Sequence, residues 1–162
     1  MKKLIIVITT AALLLVLGIW WFSSTQVVKR RTEKLLQILS FEVGEGKGGR
    51  QMGVYSLNAI LASEVSLTAA SIPEANGSFP RAEMESAYSW LGQQAKQTFF
   101  EIEKIESIKI DGAQATVNFT IEALVELPSH RPVDGHYQVL FKWQNLKDGW
   151  RLREAQWEKL ER

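Results

Sequence analysis

Proton chemistry in a folded chain needs an acid or a base held away from water, so the ionisable residues are the natural starting point. Only two histidines occur in the 162 residues. His130 lies between two prolines in "PSHRP", a loop composition. His136 opens the run "HYQVLFKWQ" and shares its parity, and hence a polar face, with Gln138 and Lys142. His130, Asp134 and His136 would need a loop and a strand start to converge before they could hold a metal, and no helical His-x-x-x-His pair assists them. No catalytic residue, metal or cofactor is therefore assigned. The absence of cysteine removes thiol catalysis, thiolate metal sites, disulfides and a lipidated cysteine anchor. "GEGKGG" lacks both the Lys-Ser/Thr ending and the strand-to-helix setting of a phosphate loop.

The aromatic residues offer binding rather than reaction. Interior positions inferred from the spacing are Tyr55, Met84, Tyr88, Phe119, Phe141 and Trp143, and none is a carboxylate. Glu85 falls on a helix flank and Glu122 on the polar side of a strand. Tyr55, Tyr88 and Trp143 are the candidate ligand contacts. The competing reading of all three is core packing with one satisfied polar atom each.

The elements that must position these residues are readable from periodicity. Residues 25–40, "TQVVKRRTEKLLQILS", place Val28, Thr32, Leu35, Leu36 and Leu39 on one helical face. The glycine-rich residues 44–50 read as a flexible loop, residues 52–61 as a short helix, and "EVSLTAA" as a short strand. "SIPEANGSFP" reads as a loop. Pro80 suits a helix start, and Met84, Tyr88, Leu91 and Ala95 then form an apolar stripe. Strands follow one another from residue 99. "AQATVNFTIEALVEL" alternates cleanly, and "VDGHYQVLFKWQNLKDGWRLREAQWEKL" is an aromatic hairpin, so an antiparallel sheet with one dry face is expected. A three-residue loop at residues 147–149, with Gly149 left-handed, pairs Phe141 with Ala155, Val139 with Trp157, Lys142 with Glu154 and Trp143 with Arg153. A two-residue turn at Asp148 and Gly149 would instead slip the last strand by one residue and carry Trp150 and Leu152 to the dry side.

Residues 4–22 are uncharged and span roughly 28 Å as a helix at about 1.5 Å per residue, close to the hydrocarbon thickness. Trp20 and Trp21 stand at one end, as interfacial indoles do. The segment reads as an uncleaved single-pass anchor in contact with membrane lipid. That gives residues 1–24 as anchor and 25–162 as one folded domain. The alternative is a cleaved signal peptide, but bulky residues follow Gly18 where a small-residue site would be needed. Lys2 and Lys3 favour a cytoplasmic N-terminus, and Lys29 to Lys34 pull the other way. The short basic leader before a long domain places that domain on the exported side. Without Lys2 and Lys3 the 19 basic residues fall to 17 against 18 acidic ones. No basic face for nucleic acid is expected.

The order of elements, with "LNAILASEVSLTAA" as a helix-to-strand entry and "DGWRLREAQW" as a final strand, resembles the nuclear transport factor 2-like (SnoaL-like) superfamily over residues 26–159. The resemblance implies an α+β cone, with three N-terminal helices packed on a strongly curved antiparallel sheet and a pocket between them. Superfamily members include isomerases, dehydratases and many non-catalytic modules, so fold alone does not name an activity. Those with one N-terminal span and an exported domain include scaffold proteins of type IV secretion systems. The resemblance implies an envelope binding or assembly module, with a protein partner or a homodimer through the sheet. The alternative is a pocket enzyme of isomerase or hydratase type acting on a small apolar substrate.

Overall fold

The computed structural model describes residues 21–44, 46–70, 75–128 and 131–161, with positions 10, 14 and 18. Most of the expected anchor, and His130, lie outside the described residues. Among the described residues no helix is long and apolar enough to cross a membrane.

Helix α1 (Ser24–Leu39) buries Val28, Thr32, Leu35 and Leu36, one face at helical spacing. The buried Thr32 hydroxyl donates to Val28 O at 3.0 Å, so the face carries no unmatched polar atom there. The chain leaves α1 through Phe41, whose backbone bridges Thr98 in both directions at 2.9 and 3.1 Å.

Helix α2 (Lys47–Asn58) corrects the expectation of a flexible loop at residues 44–50, since Gly48, Gly49 and Arg50 are helical. Arg50 is the reason. Its guanidinium is buried and donates to four carbonyls: Gly92 and Ala95 through Nη1, Glu42 and Lys96 through Nη2. It also lies 5.0 Å from the Phe41 ring centroid. These charge-assisted bonds outweigh the weak helix propensity of the two preceding glycines.

Strand β1 (Leu61–Ala69) pairs antiparallel with β2 (Gly77–Pro80), a strand where a loop is expected. The Asn76 side chain accepts from Ala69 N–H at 2.6 Å and so fastens the connection. Pro80 ends an edge strand, where its missing N–H breaks no ladder, and caps helix α3 (Arg81–Gln94). The third helix thus follows the first two strands.

Strands β3 (Gln97–Asp111), β4 (Gln114–Glu126), β5 (Val133–Leu146) and β6 (Gly149–Lys159) form a long antiparallel run. The full order is β2-β1-β6-β5-β4-β3, and β1 lies parallel to β6. The sheet is therefore mixed and not wholly antiparallel. Alternation reports which face of a strand is dry and carries no information about the direction of its neighbour.

Up to Glu154 the β5–β6 hairpin keeps the register expected of a three-residue loop, and beyond it takes neither expected register. Phe141↔Ala155, Val139↔Trp157 and Lys142↔Glu154 pair as in the three-residue-loop reading. A bulge at Arg153 then shifts the register, giving Trp143↔Leu152 and Leu146↔Gly149 across a two-residue turn. The expected Trp143–Arg153 pair is absent; Arg153 is exposed and donates to Gln144 Oε1. The extra residue lets Trp150, Leu152 and Ala155 all reach the core, which a strict period of two forbids. Gly149 takes φ +106° at the turn.

Strand β3 uses the same device twice. Bulges at Glu103 and Glu106 put Ile102, Ile105 and Ile108, three residues apart, on the core side. Bulges bend a strand and increase its twist, which curves the sheet towards the helices. Phe141 lies at the centre of the packing, edge-on to Phe119 at 5.0 Å, Trp157 at 6.1 Å and Trp143 at 6.2 Å.

Neither short helix has a basic residue in its last turn; α3 ends at the buried Ala95, and α2 ends at the surface at Asn58 and Ala59. Arg50 serves the α3 terminus. At the α2 terminus Asn58 O accepts from Arg81 at 3.1 Å and from Arg151 at 2.6 Å, and Ala59 O accepts from Arg31 at 3.0 Å. Replacing Arg50 by Leu should lower unfolding free energy by about 3 kcal/mol, because buried carbonyls lose a charged donor. Urea denaturation checks this, and Arg50→Lys should restore less than half, since an ammonium cannot fork to four acceptors.

Candidate functional site

Between the helices and the dry face of the sheet lies an apolar hollow in two lobes. The first, about 370 Å³, is walled by Leu35 from α1, Leu57 from α2, Met84, Tyr88 and Leu91 from α3, and Phe141 from the sheet. The second, about 260 Å³, is walled by Ala69, Phe100, Ala123, Val133 and Tyr137. Leu39, Leu67 and Trp157 line both lobes, so the two adjoin. Trp90, 54% exposed, stands at the rim of the first. A wider groove of about 670 Å³ runs outside, between α1 and β3, but its walls mix charged and apolar groups.

No Asp, Glu, His, Lys or Arg appears among the described residues lining either lobe. Two tyrosine hydroxyls and the indole N–H groups of Trp90 and Trp157 are the polar side-chain groups among the described walls. Tyr88 is buried, donates to Ile38 O at 3.1 Å and meets the Phe41 ring edge-on at 5.4 Å. Its ring crosses α2 over Gly53, where a Cβ would stand 1.8 Å from the hydroxyl oxygen. Tyr137 walls the second lobe. Burial, and then the negative charge of Asp134, push its phenol above the ordinary value, so it stays protonated and able to donate.

The three residues expected to contact a ligand separate. Tyr88 lines the hollow. Tyr55 is 78% exposed and stands outside it, because α2 turns Arg50, Gly53 and Leu57 inward and Tyr55 therefore outward with Met52. Trp143 is 1% exposed, lies in the core beside Phe141, and does not line either lobe. Its indole nitrogen has no hydrogen-bond partner among the described residues. The candidate ionisable groups Glu85 and His136 also fall elsewhere. Glu85 accepts from Asn58 Nδ2 at 2.8 Å on the α2–α3 flank. His136 lies on the opposite face of the sheet, its Nδ1 3.0 Å from Glu103 Oε2 and its cross-strand partner Glu122.

Leu39, Leu67 and Trp157, the shared walls, are not among the ligand contacts expected from the sequence. The register that pairs Trp157 with Val139 already places it on the dry side, but periodicity cannot distinguish a filled interior from a hollow one. Such a lining binds by removing apolar surface from water. A ligand that buries about 200 Å² gains about 5 kcal/mol at 25 cal/mol per Å².

The neutral Tyr137 phenol is favoured in the folded state, so its contribution to stability is complete below pH 10 and is lost as pH rises through the raised value. Alkaline unfolding of Tyr137→Phe should lack that component, read by circular dichroism from pH 9 to 12.

No protein-family model matches the sequence, and no curated protein matches it as a relative. Solved structures do match in fold. A nuclear transport factor 2-like protein from Cytophaga hutchinsonii is 16% identical, with a TM-score of 0.62 over 86% of this chain and 100% of its own. A protein of the same superfamily from Salmonella enterica is 10% identical, with a TM-score of 0.64 over 85% and 92%. One from Novosphingobium aromaticivorans, described as a scytalone dehydratase, is 14% identical, with a TM-score of 0.60 over 83% and 82%. The likeness is one of fold: the chain is built like these nuclear transport factor 2-like proteins.

Proposed function

We propose that this chain is a membrane-tethered binding module of the cell envelope, whose hollow takes an apolar molecule and performs no chemistry on it. The observation that carries the reading is the lining: two adjoining lobes without a charged side chain among their described walls. Tyr88 is already committed to Ile38 O, which leaves Tyr137 as the polar handle for one end of a ligand. A long chain with a single hydrogen-bonding group fits that arrangement. An isomerase or hydratase would need a base as well as this donor, and the described walls offer none.

The tether belongs to the same reading. Residues 4–22 are apolar enough to span a bilayer, and Trp21 and Phe22 stand exposed where that segment meets α1. Anchoring confines the hollow to a zone beside the bilayer and raises its effective concentration for ligands or partners held there. The domain sits on the exported side, and its sheet offers a surface to a second copy or to an envelope protein.

Full-length protein should float with phosphatidylcholine vesicles and resist carbonate extraction. A version of residues 25–162 should be soluble with an unchanged far-ultraviolet spectrum. If that fragment aggregates or unfolds, the division into anchor and domain is wrong. Titrating it with N-phenyl-1-naphthylamine should give saturable fluorescence, weakened at least tenfold, or about 1.4 kcal/mol, by Leu39→Trp or Leu67→Trp. Binding indifferent to both substitutions would remove the hollow from the function. Turnover of a small apolar carbonyl compound, lost in Tyr137→Phe, would establish the enzymatic alternative.

A further inference from the structure

Away from the hollow, the opening turns of α1 form a second and different site. Arg30, Arg31 and Lys34 line a groove of about 400 Å³ with Ser56 and Ala59 of the α2 end, over an apolar floor of Val27 and Ile60. No carboxylate is among its described walls. Lys29 is turned elsewhere and lies 3.9 Å from Glu33.

The cations in the groove are under-neutralised. Arg31 is held by Ala59 O and packs against the Gly149 turn. Burial, and then the Arg151 guanidinium, depress its pKa, and Asp148, itself hydrogen-bonded to Arg151, only partly offsets them. Lys34 is exposed and makes no ion pair with a described residue. Arg30 lies over the Trp21 ring at 4.4 Å and donates to Trp21 O at 2.7 Å, which fixes the groove beside the end of the apolar segment. Trp21 is 52% and Phe22 77% exposed.

Cationic walls call for an anion, and an apolar floor calls for an anion carrying hydrocarbon. We propose that this groove binds the headgroup of an anionic phospholipid, with the phosphate against Arg30 and Lys34 and the start of the acyl region over Val27 and Ile60. The site rests on the tethered reading for access to such lipids. It fixes the rotation of the domain about its tether, because one flank of α1 is held at the headgroup layer.

The test uses the full chain purified in nonionic detergent, with dioleoylphosphatidylglycerol or dioleoylphosphatidylcholine added and retained lipid counted by native mass spectrometry. Phosphatidylglycerol should be retained selectively. Arg30→Gln with Lys34→Gln should weaken retention roughly twenty-five-fold, at about fivefold for each cation removed. Arg31 is left intact because it caps α2. Lys104→Gln with Lys109→Gln, on exposed β3 positions, should change nothing. Equal retention of the two lipids, or retention insensitive to the Arg30 and Lys34 changes, overturns the proposal. Displacement of phosphatidylglycerol by millimolar inorganic phosphate overturns it in favour of a free-anion site. Flotation on pure phosphatidylcholine vesicles separates the two readings. A chain that floats without lipid preference keeps the tether and loses the groove; one that stays behind yet selects phosphatidylglycerol loses the tether and keeps the groove.

Discussion

A helix leaves its last carbonyls without intrahelical donors, and in this fold arginines from other elements supply them at the ends of α2 and α3. Arg50 reaches from α2 to the end of α3, and Arg31, Arg81 and Arg151 converge on the end of α2. Each bond joins a positive group to the negative pole of a helix, which favours it beyond an ordinary hydrogen bond. Helix placement is thereby settled at the termini. Arg50 also grips Glu42 and Lys96, the residues just outside the Phe41–Thr98 bridge, so α1, α2, α3 and the start of β3 are tied at one point.

Fixing helices by their ends has a consequence for the space beneath them. A helix held only by its apolar face must settle onto the sheet until the gap closes, because an unfilled interior forfeits dispersion contacts. Here the helix ends are fixed independently, and the lobes around Leu39, Leu67 and Trp157 persist between the two layers. The bulges on β3 and β6 act from the other side, bending the sheet round the helices while keeping Ile102, Ile105, Ile108 and Trp150 turned inward.

Much of this was legible in the sequence. The alternation in β4 and β5, the inward face of α1, the helix starting after Pro80 and the hairpin pairs up to Lys142 and Glu154 follow from periods of 2 and 3.6. What period counting could not reach were its interruptions. The isoleucines of β3 recur every three residues with a glutamate between them, a spacing that fits neither helix nor flat strand and marks the bulges in hindsight. The glycine-rich stretch before Arg50 reads locally as coil, and only a partner 42 residues away in sequence makes it helical. Tyr55 was misplaced for the same reason, since Arg50, which marks the inward face of α2, reads locally as part of a loop. The direction of β1 beside β6 leaves no trace in composition at all.

Strand β3 runs fifteen residues along the outer rim of the sheet, with β4 on one side and, on the other, only the Phe41 bridge near its start at Thr98. A flat strand of that length would offer a row of unpaired amides on which another chain could grow. Glu103 and Glu106 interrupt the row twice, and both carboxylates point to the polar face, where they meet His136, Thr120 and Gln138. The bulges that shape the interior thus also spoil the rim as a template for self-assembly into fibres.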